Sequence, residues 1–317
     1  MEICPICNRE TQAPPVERGS DYIIYRCSYC GGDFPHIEHL IDYNREYLED
    51  KDTFQVNRKL RASQDLKDIY REAELTINFK YALDFLKATS SKGKLLDIGC
   101  GVGVFPKLVE DTGFDVYALD PAEQAVRYAR DNFGLQNVLA GTIDDVPPAW
   151  GDFNFITLFE VLEHVERPRE LVQKIYELLA PGGYFIVSVP NRDRLEVKLG
   201  RRGLLDYPPN HLTRWSRQVL GFMLTDIGFE DIATEVDGVN RWTLTATFLP
   251  QRLNLQIERK KIETLTEERL SGDGFFIHSP IWMFAQRMAD VFAFLLQKLV
   301  GRRYGQYLIG FARKPDS

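Results

Sequence analysis

The chain has no excess of positive charge, no uninterrupted apolar stretch of membrane length, and little cysteine beyond its first thirty residues. Thirty-nine lysines and arginines face 46 aspartates and glutamates, a formal net charge of −7. Affinity for a phosphate backbone rests on clustered lysine and arginine, so nucleic acid is not expected as the main partner, although a local basic patch stays open. Met1-Glu2-Ile3-Cys4-Pro5 offers neither a basic nor an apolar signal region, so no secretory signal is expected. Of five cysteines, four lie at positions 4–30 and the fifth is Cys100. An odd count with metal-like spacing and no signal predicts a reducing, cytoplasmic setting. Repeats and low-complexity tracts are missing too. What remains is 317 residues with 44% hydrophobic content, enough for one large domain and a small one.

The character of the sequence changes along the chain. Residues 1–35 are Cys-rich and turn-rich, 36–92 form a polar connector with a helical stretch from Asp65 to Leu86, and a regular alternation begins at Lys94. Strands are predicted at Lys94–Ile98, Asp115–Leu119, Asn137–Ala140, Phe153–Phe159, Tyr184–Val189, Glu230–Val236 and Tyr307–Arg313. Between them, Arg169 to Leu179 repeats apolar residues on one helical face, with Pro168 at its start and Pro181-Gly182-Gly183 as its stop. Ser216 caps a second helix that ends at Gly228. Strands alternating with helices give a parallel, doubly wound α/β sheet. The main domain is placed at 93–239, a helical insert at 240–304, and the last strand and tail at 305–317. The insert carries Ile281, Phe284, Ala285, Met288, Val291, Phe292, Leu295, Leu296 and Leu299 as one apolar stripe. Arg287 and Asp290 interrupt it, so it is not a membrane span. It reads as a helix packed on the domain or on a dimer partner, with a substrate lid or peripheral membrane contact through 281–300 left open.

The chemistry starts at Leu95-Leu96-Asp97-Ile98-Gly99-Cys100-Gly101-Val102-Gly103. A buried strand ends in an acid and three alternate glycines, which lets the backbone come close to a nucleoside-type ligand at the carboxyl edge of the sheet. A dinucleotide fingerprint needs a glycine where Val104 stands. The acid followed by Gly-x-Gly-x-Gly instead resembles the class I S-adenosylmethionine (AdoMet) methyltransferases. Val116-Tyr117-Ala118-Leu119-Asp120, the stretch Phe159-Glu160-Val161-Leu162-Glu163-His164, and Leu179-Ala180-Pro181-Gly182-Gly183 extend the likeness over roughly residues 75–235. The closest pattern is that of a broad group including the quinone-pathway O-methyltransferases.

The resemblance implies a Rossmann-like seven-stranded sheet and a set of cofactor residues. Gly99, Gly101 and Gly103 line AdoMet, Asp97 helps hold its methionine end, and Asp120 accepts from the ribose hydroxyls. Asp97 tying the turn to itself and Asp120 capping the helix after Pro121 are the structural alternatives. Many relatives carry an aspartate where Thr142 stands; Ile143 covers the adenine face, and Phe159 and Glu160 complete the set. Methyl transfer is an in-line displacement that depends on positioning and, for a hydroxyl acceptor, on a base. His164 is the first candidate base. His211, in the Pro-stiffened stretch 206–216, is the alternative. In the quinone-pathway enzymes Glu-x-x-Glu-His is associated with a divalent metal, so Glu160, Glu163 and His164 are candidate Mg²⁺ ligands by resemblance.

Cys4-x-x-Cys7 and Cys27-x-x-Cys30 have the spacing of a structural Cys₄ zinc ribbon. Some thirty residues are too few for a core, so zinc is expected to supply the folding energy. The sequence thus reads as an AdoMet-dependent methyltransferase with an N-terminal zinc ribbon. Its acceptor is expected to be a small molecule, glycan or lipid-linked intermediate, methylated on oxygen. An rRNA or tRNA methyltransferase and a non-catalytic AdoMet-binding protein remain the alternatives.

Overall fold

The computed structural model describes residues 2–12, 14–37, 77–89, 92–203, 206–238, 288, 291–299, 301 and 304–316. The amino-terminal module pairs β1 (Glu2–Ile3) with β2 (Glu10–Thr11). It adds a three-stranded antiparallel sheet of β3 (Pro15–Arg18), β4 (Tyr22–Arg26) and β5 (Asp33–Ile37).

The main domain follows in the order α1 (Ile77–Ala88), β6 (Lys94–Ile98), α2 (Val104–Glu110), β7 (Asp115–Asp120), α3 (Glu123–Phe133), β8 (Val138–Ala140) and β9 (Phe153–Phe159). Then come α4 (Pro168–Leu178), β10 (Leu179–Pro190), the short α5 (Leu195–Lys198), α6 (Arg217–Ile227), β11 (Glu230–Val236), a helix at 291–299 (α7) and β12 (Tyr307–Arg313). These strands make one seven-stranded sheet in the order β11-β12-β10-β9-β6-β7-β8. β12 runs antiparallel to both neighbours, while β10, β9, β6, β7 and β8 are mutually parallel.

The apolar runs in the sequence explain the layering. Leu95, Phe155, Ile186 and Ile309 point from the sheet into a core shared with α1, α2 and α3. Leu96, Ile156, Val187 and Leu308 point the other way, to α4 and α6. Parallel strands buried on both faces read as continuous hydrophobic runs rather than alternating ones. Helix ends follow their punctuation: the Ser216 hydroxyl accepts from Val219 N at 3.4 Å, and Gly228 closes α6 in the left-handed region. One expectation is modified. α4 ends at Leu178, but Pro181-Gly182-Gly183 lies inside β10, where its register on β9 shifts between Leu179 and Tyr184. Proline cannot donate to the ladder, so the chain bulges there and resumes pairing.

The cysteine module is not a free-standing ribbon. Cys4, Ile6, Cys7, Cys27, Cys30 and Phe34 belong to the same buried cluster as Trp215, Val219 and Val187. The small module therefore borrows the core it is too short to build, and this packing supports it beside any bound zinc. Polar ties reinforce the seam. Asp33, almost fully buried, accepts from Arg26 (2.7 and 3.0 Å) and from Arg192 (3.2 Å). Its carbonyl accepts from Arg214 N at 3.1 Å, and the Arg214 guanidinium forks onto Glu17 at 2.8 and 3.2 Å. Arg192 also donates to the carbonyl of Gly31 at 2.6 Å.

Two earlier readings fall partly outside the described residues: the connector helix before Ile77, and Ile281, Phe284 and Ala285 of the insert stripe.

Removing one member of a buried ion cluster strands its partners. Asp33→Ala is expected to cost about 3 kcal/mol, the low end for a buried pair because Arg26 is half exposed. Urea unfolding of the full chain measures it; a loss no larger than that of a surface substitution would show that Asp33 is not the seam's anchor.

Candidate functional site

Every predicted cofactor residue lies at the carboxyl edge of β6, β7, β8 or β9. The glycine turn makes that edge approachable. Gly99, Gly101 and Gly103 all have positive φ, at 73°, 54° and 85°. A Cβ on Gly99 would lie 2.5 Å from Val161, and one on Gly103 would lie 2.7 Å from Ala129, so these two serve close packing within the protein. A Cβ on Gly101 would meet nothing within 4 Å. The middle glycine therefore faces open space, which a side chain there would occupy.

Asp120 holds the turn from the next strand, β7. Its carboxylate accepts from Gly101 N at 2.8 Å and from Ala122 N at 2.9 Å. It thus ties the glycine turn to the approach to α3, without capping that helix: the N-cap is Ala122, which has no side-chain cap bond. Each oxygen has lone-pair capacity left. Burial raises its pKa, and the two backbone donors oppose that. Asp97 is buried beneath the turn, where Thr157 Oγ1 donates to it at 2.5 Å. Burial pushes its pKa up to about 7, the Asp120 charge adds to the rise, and Thr157 works against it.

The remaining cofactor candidates are placed as follows. Thr142 donates through N (2.8 Å) and Oγ1 (3.1 Å) to Asp145, forming a capping box, while Gly141 N donates to Asp120 O. Asp144 pairs with Lys174. Ile143 is half-buried against the core. Phe159 packs its ring on Phe79 and Phe105, with centroids 5.4 and 4.8 Å away. Glu160 has a left-handed backbone (φ 54°), a conformation uncommon outside glycine. Its Oε1 accepts from Ser188 Oγ at 2.8 Å and Asn78 Nδ2 at 3.3 Å. Burial raises its pKa to about 7, against the Ser188 bond and the Arg194 charge.

A second cluster forms where the stretch 206–213 folds over the turn after β9. Leu212 N and Thr213 N both donate to Glu163 O. His164 Nδ1 lies 2.6 Å from the Asn210 carbonyl. A carbonyl can only accept, so Nδ1 carries the proton and Nε2 the lone pair. Burial, then the neighbouring His211, pulls the His164 pKa down to about 4. The two imidazoles meet edge to face, 4.9 Å between centroids. His211 Nδ1 lies 3.4 Å from Asp206 Oδ1. Burial opposes ionisation of Asp206, but His211 and the Arg194 guanidinium hold its pKa near 2. Glu163 is fully buried, and its Oε2 has no hydrogen-bond partner. Burial, then the charge of Glu160, raises its pKa well above the carboxylate range.

A family model described as a methyltransferase domain matches residues 69–234, more than half of the chain. The chain belongs to the methyltransferase domain family. A probable S-adenosylmethionine-dependent methyltransferase from Mycolicibacterium smegmatis is 27% identical over 181 residues, covering 56% of this chain and 69% of that protein. A ubiquinone biosynthesis O-methyltransferase from a Caulobacter species is 32% identical over 127 residues, covering 38% of this chain. That match spans about half (48%) of the Caulobacter protein's length. Among solved structures, a SAM-dependent methyltransferase from Archaeoglobus fulgidus shares the fold, with TM-score 0.51 and 18% identity over 83% of this chain and 100% of that one. The domain is of the S-adenosylmethionine-dependent kind.

Within this methyltransferase domain the structure separates residues that the sequence had grouped. Glu163, His164 and His211 bring one ligand atom each within 4.8 Å of one another. Glu160 is not in that group, because its carboxylate is turned to Ser188 and Asn78. Asp206 and Arg194 were not among the candidates. Asp206 stands in the same Pro-rich stretch as His211, but nothing local in the sequence pairs the two.

The four predicted cysteine ligands also converge. Cys4 and Cys30 sulfurs are 3.7 Å apart, Cys7 and Cys27 sulfurs 3.6 Å, and all four lie within 4.8 Å. None is in a disulfide. Four thiolates at ~2.3 Å around a tetrahedral zinc would space their sulfurs by roughly 3.8 Å, so the cluster fits that ion. Tyr29 N and Gly32 N donate to the Cys27 and Cys30 sulfurs at 3.4 Å, which stabilises thiolate charge.

The buried Asp97 carries a stability consequence. Its folded pKa of about 7 exceeds the unfolded value of about 3.9. The folded protein therefore keeps a proton that the unfolded chain releases between pH 4 and 7, and stability falls as pH rises through that window. Asp97→Asn keeps the acceptor for Thr157 without the charge. Ligand-free, it is expected to be about 1–3 kcal/mol more stable than wild type at pH 7.5 and close to it at pH 4.5. Thermal melts at the two pH values check this; an equal difference at both would contradict the burial of a charge.

Proposed function

We propose that this methyltransferase transfers the AdoMet methyl group to a hydroxyl of a small-molecule, glycan or lipid-linked acceptor. The observations that support the reading are the open space over Gly101, where Gly101 N is tied to Asp120, and the His211–Asp206 pair in the stretch that folds onto the turn after β9. AdoMet, when bound, supplies an electrophilic methyl on a sulfonium. Gly101 leaves room for the nucleoside, Asp120 offers its carboxyl oxygens as acceptors to the ribose hydroxyls, and Asp97 supports the turn beneath the methionine end. Thr142 and Ile143, which follow β8, and Phe159 and Glu160, at the end of β9, complete the proposed AdoMet set.

Of the two histidines, His211 is the better base. Asp206 stays ionised, fixes the Nδ1–H tautomer of His211, and stabilises the imidazolium formed when Nε2 takes the acceptor proton. His164, held neutral by burial, is better suited to orient the acceptor. The cysteine cluster reads as a closed structural zinc site. A second reading rests on the unpartnered Oε2 of Glu163: Glu163, His164 and His211 as ligands of a divalent cation. Two imidazoles in the set favour a transition metal over Mg²⁺, which prefers oxygen donors.

Incubation with methyl-labelled AdoMet and fractionated cell extract identifies the acceptor class. Label is expected in the small-molecule, glycan or lipid fraction; label in RNA would overturn the acceptor assignment. On the fraction found, His211→Ala is expected to lower turnover by about 10²–10⁴-fold and to leave S-adenosylhomocysteine affinity unchanged in calorimetry. Loss of both together would indicate damage to the fold and withdraw the base. Native mass spectrometry should find one zinc per chain, lost in Cys27→Ser; a zinc-free folded protein would contradict the structural metal.

A further inference from the structure

Among the described residues, nothing covers the apolar face of α7. Val291, Phe292, Leu295 and Leu299 are each more than half exposed. At 100° per residue they fall within an arc of roughly 100°. Phe294 and, one turn before, Met288 are exposed as well. On the other side, buried Ala293 packs with Leu296 and Tyr304. Single exposed apolar side chains need no explanation, but a contiguous face of this kind marks a contact site.

Charge says which contact. The protein is acidic overall, yet residues 287–303 contain Arg287, Lys298, Arg302 and Arg303 against Asp290 alone. Lys298 Nζ sits 4.6 Å from the Phe294 ring centroid, a cation held beside the apolar face. An apolar face with Lys298 beside it, in a segment whose sequence is rich in lysine and arginine, suits a helix lying in the interface of an anionic bilayer. A second copy of the chain would bring the same cation-rich segment to the contact. No helix among the described residues is long and apolar enough to cross a membrane.

The placement gives this face a use. β12 starts at Tyr307 opposite Pro190, the carboxyl end of β10. Asn191 N and Nδ2 donate to the carbonyls of Gln306 and Gly305. The chain coming from α7 therefore enters the sheet at the edge that holds the candidate site.

We propose that α7 docks the methyltransferase on an anionic lipid surface, through Phe292, Leu295, Leu299 and Lys298, with the carboxyl edge of the sheet turned toward the bilayer. The docking stands by itself; that it presents a lipid-linked acceptor rests on the function proposed above.

Sedimentation of the full chain with vesicles tests it. The protein is expected to bind vesicles of phosphatidylcholine mixed with phosphatidylglycerol, more weakly vesicles of phosphatidylcholine alone, and less at high salt. Phe292→Asp with Leu295→Asp should weaken binding by at least about 10-fold. Both positions are exposed, so melting temperature and S-adenosylhomocysteine affinity should match wild type. Lys298→Gln, which leaves the apolar face intact, should weaken binding to the anionic vesicles about 5-fold. Three results would overturn the proposal: no binding to either vesicle, unchanged binding by the double variant, or a concentration-dependent dimer that the double variant splits. Failure to bind S-adenosylhomocysteine would count against the methyl-transfer reading instead, since vesicle binding does not require it.

Discussion

The constraint that shapes this molecule is a row of carboxyl groups taken out of water along one edge of a sheet. Asp97, Glu160, Glu163 and Asp237 all have pKa values raised, in each case chiefly by burial. A buried carboxylate without a cation is costly unless hydrogen bonds or a proton compensate. The fold answers each differently: Thr157 donates to Asp97, Ser188 and Asn78 to Glu160, and the Tyr307 amide to Asp237. Glu163 keeps one oxygen without a partner. Such an edge is poised toward groups that carry positive charge or donors, which a sulfonium nucleoside does.

Asp206 is the exception in this row, and the contrast separates the roles. It is buried too, but Arg194 and His211 turn its balance toward ionisation. Within one site the same residue type is kept protonation-prone in one place and charged in another, by neighbours alone. The charged one is the one that touches a histidine.

The cysteine module extends the same economy. Too small for a core, it lays Ile6 and Phe34 against Trp215 and Val219 and buries Asp33 between arginines from both sides of the seam. Arg192 and Arg214, which reach across to it, flank the stretch that carries Asp206 and His211. The module is joined to that stretch through the backbone and guanidinium of Arg214, three residues from His211.

Strand positions, helix caps, the Gly-x-Gly-x-Gly turn with Asp97 and Asp120, and the Cys-x-x-Cys pairs were legible from residue order alone. Apolar periodicity, glycine stereochemistry and ligand spacing act within a few residues of chain, so order is enough to reveal them. The bulge at Pro181-Gly182-Gly183 was less legible, because a breaker can end a helix and still be tolerated in a strand. Beyond reach were the turning of Glu160 toward Ser188, the partnership of His211 with Asp206 and the Asn210 carbonyl that fixes the tautomer of His164. The first and the last depend on chain 28 and 46 residues away, and the His211–Asp206 pair on how the stretch between them turns. Burial, which moves every pKa in the site, exists only once distant segments have closed over it.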